Sequence, residues 1–187
     1  MLKAFSKSRI AGRPGPAKES IIHFMYTTRA VLIDRDARLV AAWREAFRDV
    51  DGVEAVHGDF FSVHADAMVS PANSFGIMDG GLDLAIRETL GVHVEQRVRE
   101  RIPEDASRSI NAYLAFRAVL LALRAHVRGA DTQVCSFVCP GLATGVGGMS
   151  PRRCAAQMRV AWRQATEPAT IPSFREIHRV NAALRSD

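Results

Sequence analysis

Asn73, Asp79 and Asp83 flank the paired glycines of Met68-Val-Ser-Pro-Ala-Asn73-Ser-Phe-Gly-Ile-Met-Asp79-Gly80-Gly81-Leu82-Asp83-Leu-Ala-Ile86. A short apolar run ends at Asn73, passes through a glycine-rich loop and opens directly into an apolar helix. Strand, glycine loop and helix start, in that order, make an anion site. Bare backbone N–H groups and the positive end of the helix both point at the ligand. The acidic side chains narrow the chemistry. A carboxylate beside a phosphate is unfavourable unless it reads a hydroxyl, an amine or a water.

Two further segments carry the same kind of signal. Gly58-Asp59, followed by Phe60, closes the short apolar run Val53-Glu-Ala-Val56. Gly141-Leu-Ala143-Thr144-Gly145-Val146-Gly147-Gly148 follows the run Val134–Val138 and precedes Ser150-Pro151, an N-cap and first-turn pair.

The elements that must position these loops alternate. Val31–Ile33, Val53–Val56, Ala67–Val69 and Val134–Val138 read as strands. Leu39, Trp43, Ala46, Phe47 and Val50 recur at helical spacing, as do Ala155, Met158 and Trp162. Leu82–Leu90 and a long apolar segment from about Ile110 to Val127 are further helices, and Phe174–Leu184 is a candidate terminal one. Alternation of this kind predicts an α/β sandwich with a largely parallel sheet. Ligands then sit beyond the carboxyl ends of the strands, where all three loops fall.

The 187 residues are 48% hydrophobic, enough for one core, and no apolar run reaches the roughly 20 residues of a membrane-spanning helix. Cys135, Cys139 and Cys154 do not form a disulfide framework, which predicts a reducing, cytoplasmic setting. Cys135 and Cys139 read as small buried hydrophobes on one face of a strand. The isolated histidines, His57, His64 and His93 among them, read as surface or core residues.

The net charge of +5 permits a polyanionic partner. The excess is concentrated at the start, where Lys3, Lys7, Arg9, Arg13 and Lys18 face a single acid, Glu19. Residues 1–24, rich in Gly, Pro and Ser, are expected to be a disordered basic arm able to touch nucleic acid. Met25 reads as a natural beginning for the domain. The domain is expected over 25–166, with 167–187 a helical C-terminal extension.

These motifs resemble the macro domain, an ADP-ribose-binding α/β/α module, in the version found in small bacterial and phage proteins. The resemblance runs from about Val31 to Trp162. It rests on Ala72-Asn73 … Gly80-Gly81-Leu82-Asp83-Leu-Ala-Ile86, on Ala143-Thr144-Gly145-Val146-Gly147-Gly148, and on Gly58-Asp59. It implies a three-layer α/β/α macro-like fold with a mixed, largely parallel sheet. It implies that Asp59, with Phe60 beside it, receives the adenine amine and that Asn73 binds the distal ribose. Gly80, Gly81 and Leu82 would meet one phosphate, and Ala143 to Gly148 would wrap the diphosphate. Asn73 and Asp83 match the positions that act catalytically in hydrolytic members, where the Asp helps to activate a water. No metal or redox cofactor is implied.

The sequence departs from that pattern twice. Gly147 stands where hydrolytic members carry an aromatic residue over the distal ribose. Between Gly91 and Asn111 a hairpin's worth of central sheet is missing, and the residues there read as charged helix and turn. The expected function is recognition of free or conjugated ADP-ribose. The alternatives are an ADP-ribosyl hydrolase or a phosphatase acting on ADP-ribose 1″-phosphate, and a nucleic-acid-binding protein with a vestigial pocket.

Overall fold

The computed structural model describes residues 2–4, 28–71, 76–100, 112–129, 134–167 and 173–185. Its strands are β1 (Leu2–Ala4), β2 (Arg29–Asp34), β3 (Val53–His57), β4 (Ala67–Val69) and β5 (Ser136–Cys139). Its helices are α1 (Ala37–Ala46), α2 (Gly81–Leu90), α3 (His93–Arg99), α4 (Ala112–Gly129), α5 (Pro151–Thr166) and α6 (Phe174–Arg185). The strands form one sheet in the order β1-β4-β5-β2-β3. The β4–β5, β5–β2 and β2–β3 pairings are parallel, and only β1 joins antiparallel. The fold is a three-layer α/β/α sandwich.

Side-chain alternation along the central strands divides the core in two. Leu32 of β2 and Phe137 of β5 face a large cluster that includes Trp43 of α1, Phe116 and Leu120 of α4, and Met158 and Trp162 of α5. Trp162 stacks on Phe116 with ring centroids 6.4 Å apart and meets Phe47 edge-on at 6.5 Å. The next residues along, Ile33 and Val138, face a smaller cluster of Phe60, Met78, Ile86 of α2, and Val94 and Val98 of α3. The first glycine loop lies on that second layer through Met78, whereas the second lies on the large cluster through Leu142 and Met149, so both glycine segments are mounted on packed side chains.

The short middle is accommodated without a gap. Strands β4, β5, β2 and β3 are direct hydrogen-bonded neighbours, so the sheet is continuous. The segment from His93 to Arg99 is helical, as its charge pattern predicts, and covers the second cluster with Val94 and Val98. Residues 101–111 lie outside the described residues.

Two expectations need correction. Leu2–Ala4, inside the segment expected to be a disordered arm, form edge strand β1, with Leu2 opposite Val69 and Ala4 opposite Ala67. An edge of β4 offers unpaired N–H and C=O groups that even three residues can take up. The rest of that arm, residues 5–24, lies outside the described residues. Cys135 does not share the burial of Cys139. It precedes β5 and is exposed, while Cys139 and Cys154 are buried. The extension is helical over Phe174–Arg185. Among the described residues no helix is long and apolar enough to cross a membrane.

Candidate functional site

Because β3, β2, β5 and β4 all run the same way, their carboxyl ends share one rim. At the end of β2, Asp34 works as a tie. Its Oδ1 accepts the Asp36 N–H at 2.9 Å and its Oδ2 accepts the Gly141 N–H at 3.1 Å. The first bond sets the chain up for Asp36 to N-cap α1, where it accepts the Arg38 N–H. The second fastens the start of the loop after β5 to the end of β2.

That loop is sharply folded. Ala143 has φ +63°, rare for a residue with a side chain, and Gly148 has φ +64°. The turn is closed by Gly148 N–H to Gly145 C=O at 3.0 Å and Met149 N–H to Ala143 C=O at 2.9 Å. Between these bonds, the N–H groups of Thr144, Gly145, Val146 and Gly147 donate to no acceptor among the described residues. Gly145 and Gly148 have open space where a Cβ would stand. Gly147 does not. A Cβ there would sit 2.6 Å from the Ala143 carbonyl oxygen. As the loop is folded here, any side chain at this position would collide with the Ala143 carbonyl.

Over the neighbouring strand β4, the other glycine loop enters α2. Gly80 is the N-cap and supplies no side-chain cap, and the first helical bond runs from Leu84 N–H to Gly80 C=O at 3.2 Å. The N–H groups of Gly81, Leu82 and Asp83 are therefore left for an outside acceptor. Gly81 has φ +57°, and neither it nor Gly80 meets any atom within 4 Å of its would-be Cβ. The approach to this helix end is open. The preceding turn is held from below by buried Met78, whose N–H lies 3.5 Å from Glu95 Oε1. Glu95 of α3 also takes Arg87 of α2 at 2.9 Å and Arg99 at 2.6 Å. The Arg87 hydrogen bond chiefly holds its carboxyl below the usual range.

Asp83 is 8% exposed, and its Oδ1 accepts the Ser70 hydroxyl at 2.5 Å. Burial pushes its pKa up, and the Ser70 bond opposes part of that rise. Asp59 sits at the far end of the rim, after β3. It accepts the Phe61 N–H at 2.9 Å as cap of a single 3-10 turn, Phe60–Ser62, and is paired with exposed Arg35. The Phe61 N–H, then Arg35, hold its carboxyl below the usual range. Phe60 itself is buried in the second cluster. Asp79 is exposed and carries no bond among the described residues. Asn73 lies in the segment 72–75, outside the described residues.

Asp59, Asp83 and both glycine loops therefore lie on one rim. Across the order β4-β5-β2-β3, three strand spacings of about 4.8 Å separate the end of β4 from that of β3 by roughly 14 Å. A ligand touching both ends has to be extended. Asp34, Arg35 and Ser70 were missed by motif reading. The signal for Asp34 was available, since a carboxylate directly after a buried apolar strand must find donors close by.

No family model matches the chain. It is 30% identical over 141 residues to an uncharacterized protein of Aquifex aeolicus, a match that covers 64% of this chain and 85% of that one. The chain belongs to the same family as the Aquifex protein. A second uncharacterized protein, from Aeropyrum pernix, is 27% identical over 129 residues, covering 56% of this chain and 67% of its own length.

Proposed function

We propose that the chain is a macro-type module that binds ADP-ribose, free or attached to a macromolecule. The observation that carries this reading is the pairing of two donor groups over adjacent strands. Four successive N–H groups, Thr144 to Gly147, stand unclaimed among the described residues over β5, and the uncapped start of α2 stands over β4. A helix N-terminus and a run of loop amides each favour one phosphate. Side by side they suit a diphosphate. The carboxylate of Asp59, roughly 14 Å along the rim, suits the amine of a purine at one end of an extended ligand. Asp83 suits a hydroxyl near the other.

Isothermal titration with ADP-ribose tests the reading. Saturable heat is expected, with AMP and inorganic phosphate each binding more weakly because each meets only part of the rim. Absence of heat at millimolar ADP-ribose, with the protein folded by circular dichroism, removes it.

A second reading is favoured by the burial of Asp83. A carboxylate of raised proton affinity beside a ribose is better placed to take a proton from water than an ordinary one. The chain would then hydrolyse an ADP-ribosyl ester or ADP-ribose 1″-phosphate. Under this reading Asp83→Ala abolishes turnover while binding falls much less; equal turnover in wild type and variant rules it out.

A further inference from the structure

The Asp83 carboxylate is bound on one oxygen only. Oδ1 accepts from Ser70 at 2.5 Å, whereas Oδ2 takes no hydrogen bond among the described residues. Ser70 is the first residue after β4, and Asp83 is in the first turn of α2. The bond therefore joins the strand end to the helix start across the whole glycine loop. We propose that Ser70 is a positioning residue for the ligand site: it fixes Asp83 so that Oδ1 is satisfied within the fold and Oδ2 is presented to a hydroxyl of the bound ligand.

The inference rests on the ADP-ribose reading only for the identity of that hydroxyl. The physical reason for such a device lies in the burial. A carboxylate 8% exposed is costly to ionise, and a donor on one oxygen lowers that cost while leaving the other oxygen as acceptor. A ligand hydroxyl donates more strongly to an ionised than to a protonated carboxyl, so binding weakens as pH falls through the Asp83 titration. The other charged or titratable residues on the elements around Asp83 are Asp79 in the preceding loop, Arg87 and Glu88 on α2, His93, Glu95, Arg97 and Arg99 on α3, and Lys3 on β1. Arg87, Glu95 and Arg99 are engaged with one another. Ser70 is the side chain seen to hydrogen-bond Asp83 among the described residues.

The test uses the full chain labelled with carboxyl-¹³C aspartate, with the Asp83 signal assigned by its loss in Asp83→Asn. In the ligand-free protein, Ser70→Ala is expected to move the Asp83 titration to higher pH. Ser70→Thr, which keeps the hydroxyl, is expected to hold it near the wild-type position. Ser70→Cys, of similar size but a weak donor, gives the same reading as Ala if the Ala variant does not fold. ADP-ribose affinity in Ser70→Ala is expected to fall on the acid side, by up to about tenfold for each unit by which the titration moves, and to approach wild type at alkaline pH. A merely structural role would lower affinity equally at every pH. An Asp83 titration unchanged by loss of the hydroxyl overturns the proposal. A shifted titration in a protein that gives no heat with ADP-ribose supports the Ser70–Asp83 coupling and removes the ligand assignment alone.

Discussion

The Gly141 N–H donates to Asp34 Oδ2 at 3.1 Å, and Gly141 is packed so closely that a Cβ would stand 2.5 Å from both Leu39 Cδ2 and Thr144 Oγ1. A residue 107 positions away thus sets where the second glycine loop begins, and the same contact presses that loop onto α1. Gly141→Ala is expected to cost about 1–3 kcal/mol, since Leu39 is fully buried and has little room to give. Urea unfolding measures this, and a midpoint equal to wild type would show that the loop start is not anchored in this way.

Removing the other partner gives a different signature. Asp34→Ala leaves the N–H groups of Asp36 and Gly141 without their acceptor, a loss of about 3–6 kcal/mol for two bonds to a charged group. Backbone hydrogen exchange at Gly141 and Asp36 should rise together in this variant. Faster exchange at only one of them would break the proposed tie between α1 and the loop.

Asp83 links pH to stability with a definite sign. Its folded-state pKa is raised by burial, so the folded protein binds the proton more tightly than the unfolded chain. The carboxyl's contribution is therefore most favourable at low pH and is lost as pH rises through the folded-state value. Above that value the full cost of the buried charge is present. Asp83→Asn keeps an oxygen for Ser70 and removes the charge, so it is expected to raise Tm by about 2–4 °C at pH 8. The gain should disappear at pH 3. A melting temperature unchanged or lowered at pH 8 contradicts the assignment.

Glu95 has the opposite sign. Arg87 holds its carboxyl below the usual range, with the Met78 N–H and Arg99 contributing. Its contribution is present above the unfolded pKa and is lost as pH falls through the depressed folded value. Glu95→Gln should lower Tm at neutral pH and converge on wild type in strong acid. Because Glu95 lies behind Met78, the variant should also loosen the turn into α2, visible as faster exchange at Met78 and Asp79.

How much of this was legible in the sequence depended on the range of the interaction. The four parallel strands and their helices followed from alternation and spacing, because Leu32 and Ile33, or Phe137 and Val138, fill opposite faces of one strand. The glycine loops were visible because only short-range geometry is needed to place N–H groups at a helix start. The ties between the loops were not visible. Asp34 to Gly141 and Asp59 to Arg35 join residues that approach only once β2 is paired with β5 and β3, and Ser70 meets Asp83 only once α2 has packed against the end of β4. Gly147 was legible as a departure but not as a necessity, since the Ala143 carbonyl that excludes a side chain is positioned by a backbone turn with φ +63°. Leu2–Ala4 was missed because a three-residue edge strand has no periodicity to detect.

The amides of the second loop can be tested one at a time. Val146 is fully exposed, so its side chain makes no packing that a substitution would forfeit, and its N–H is unclaimed among the described residues. Val146→Pro removes that donor and little else, whereas Val146→Ala keeps it. If the loop holds a phosphate through its backbone, the Pro variant loses one charge-assisted hydrogen bond. That corresponds to about a tenfold rise in the Kd for ADP-ribose, while the Ala variant stays within about twofold. The comparison separates backbone from side-chain recognition, because both variants delete the isopropyl group. Equal affinities for the two would mean that the Val146 N–H does not meet the anion, and would move the diphosphate toward the start of α2.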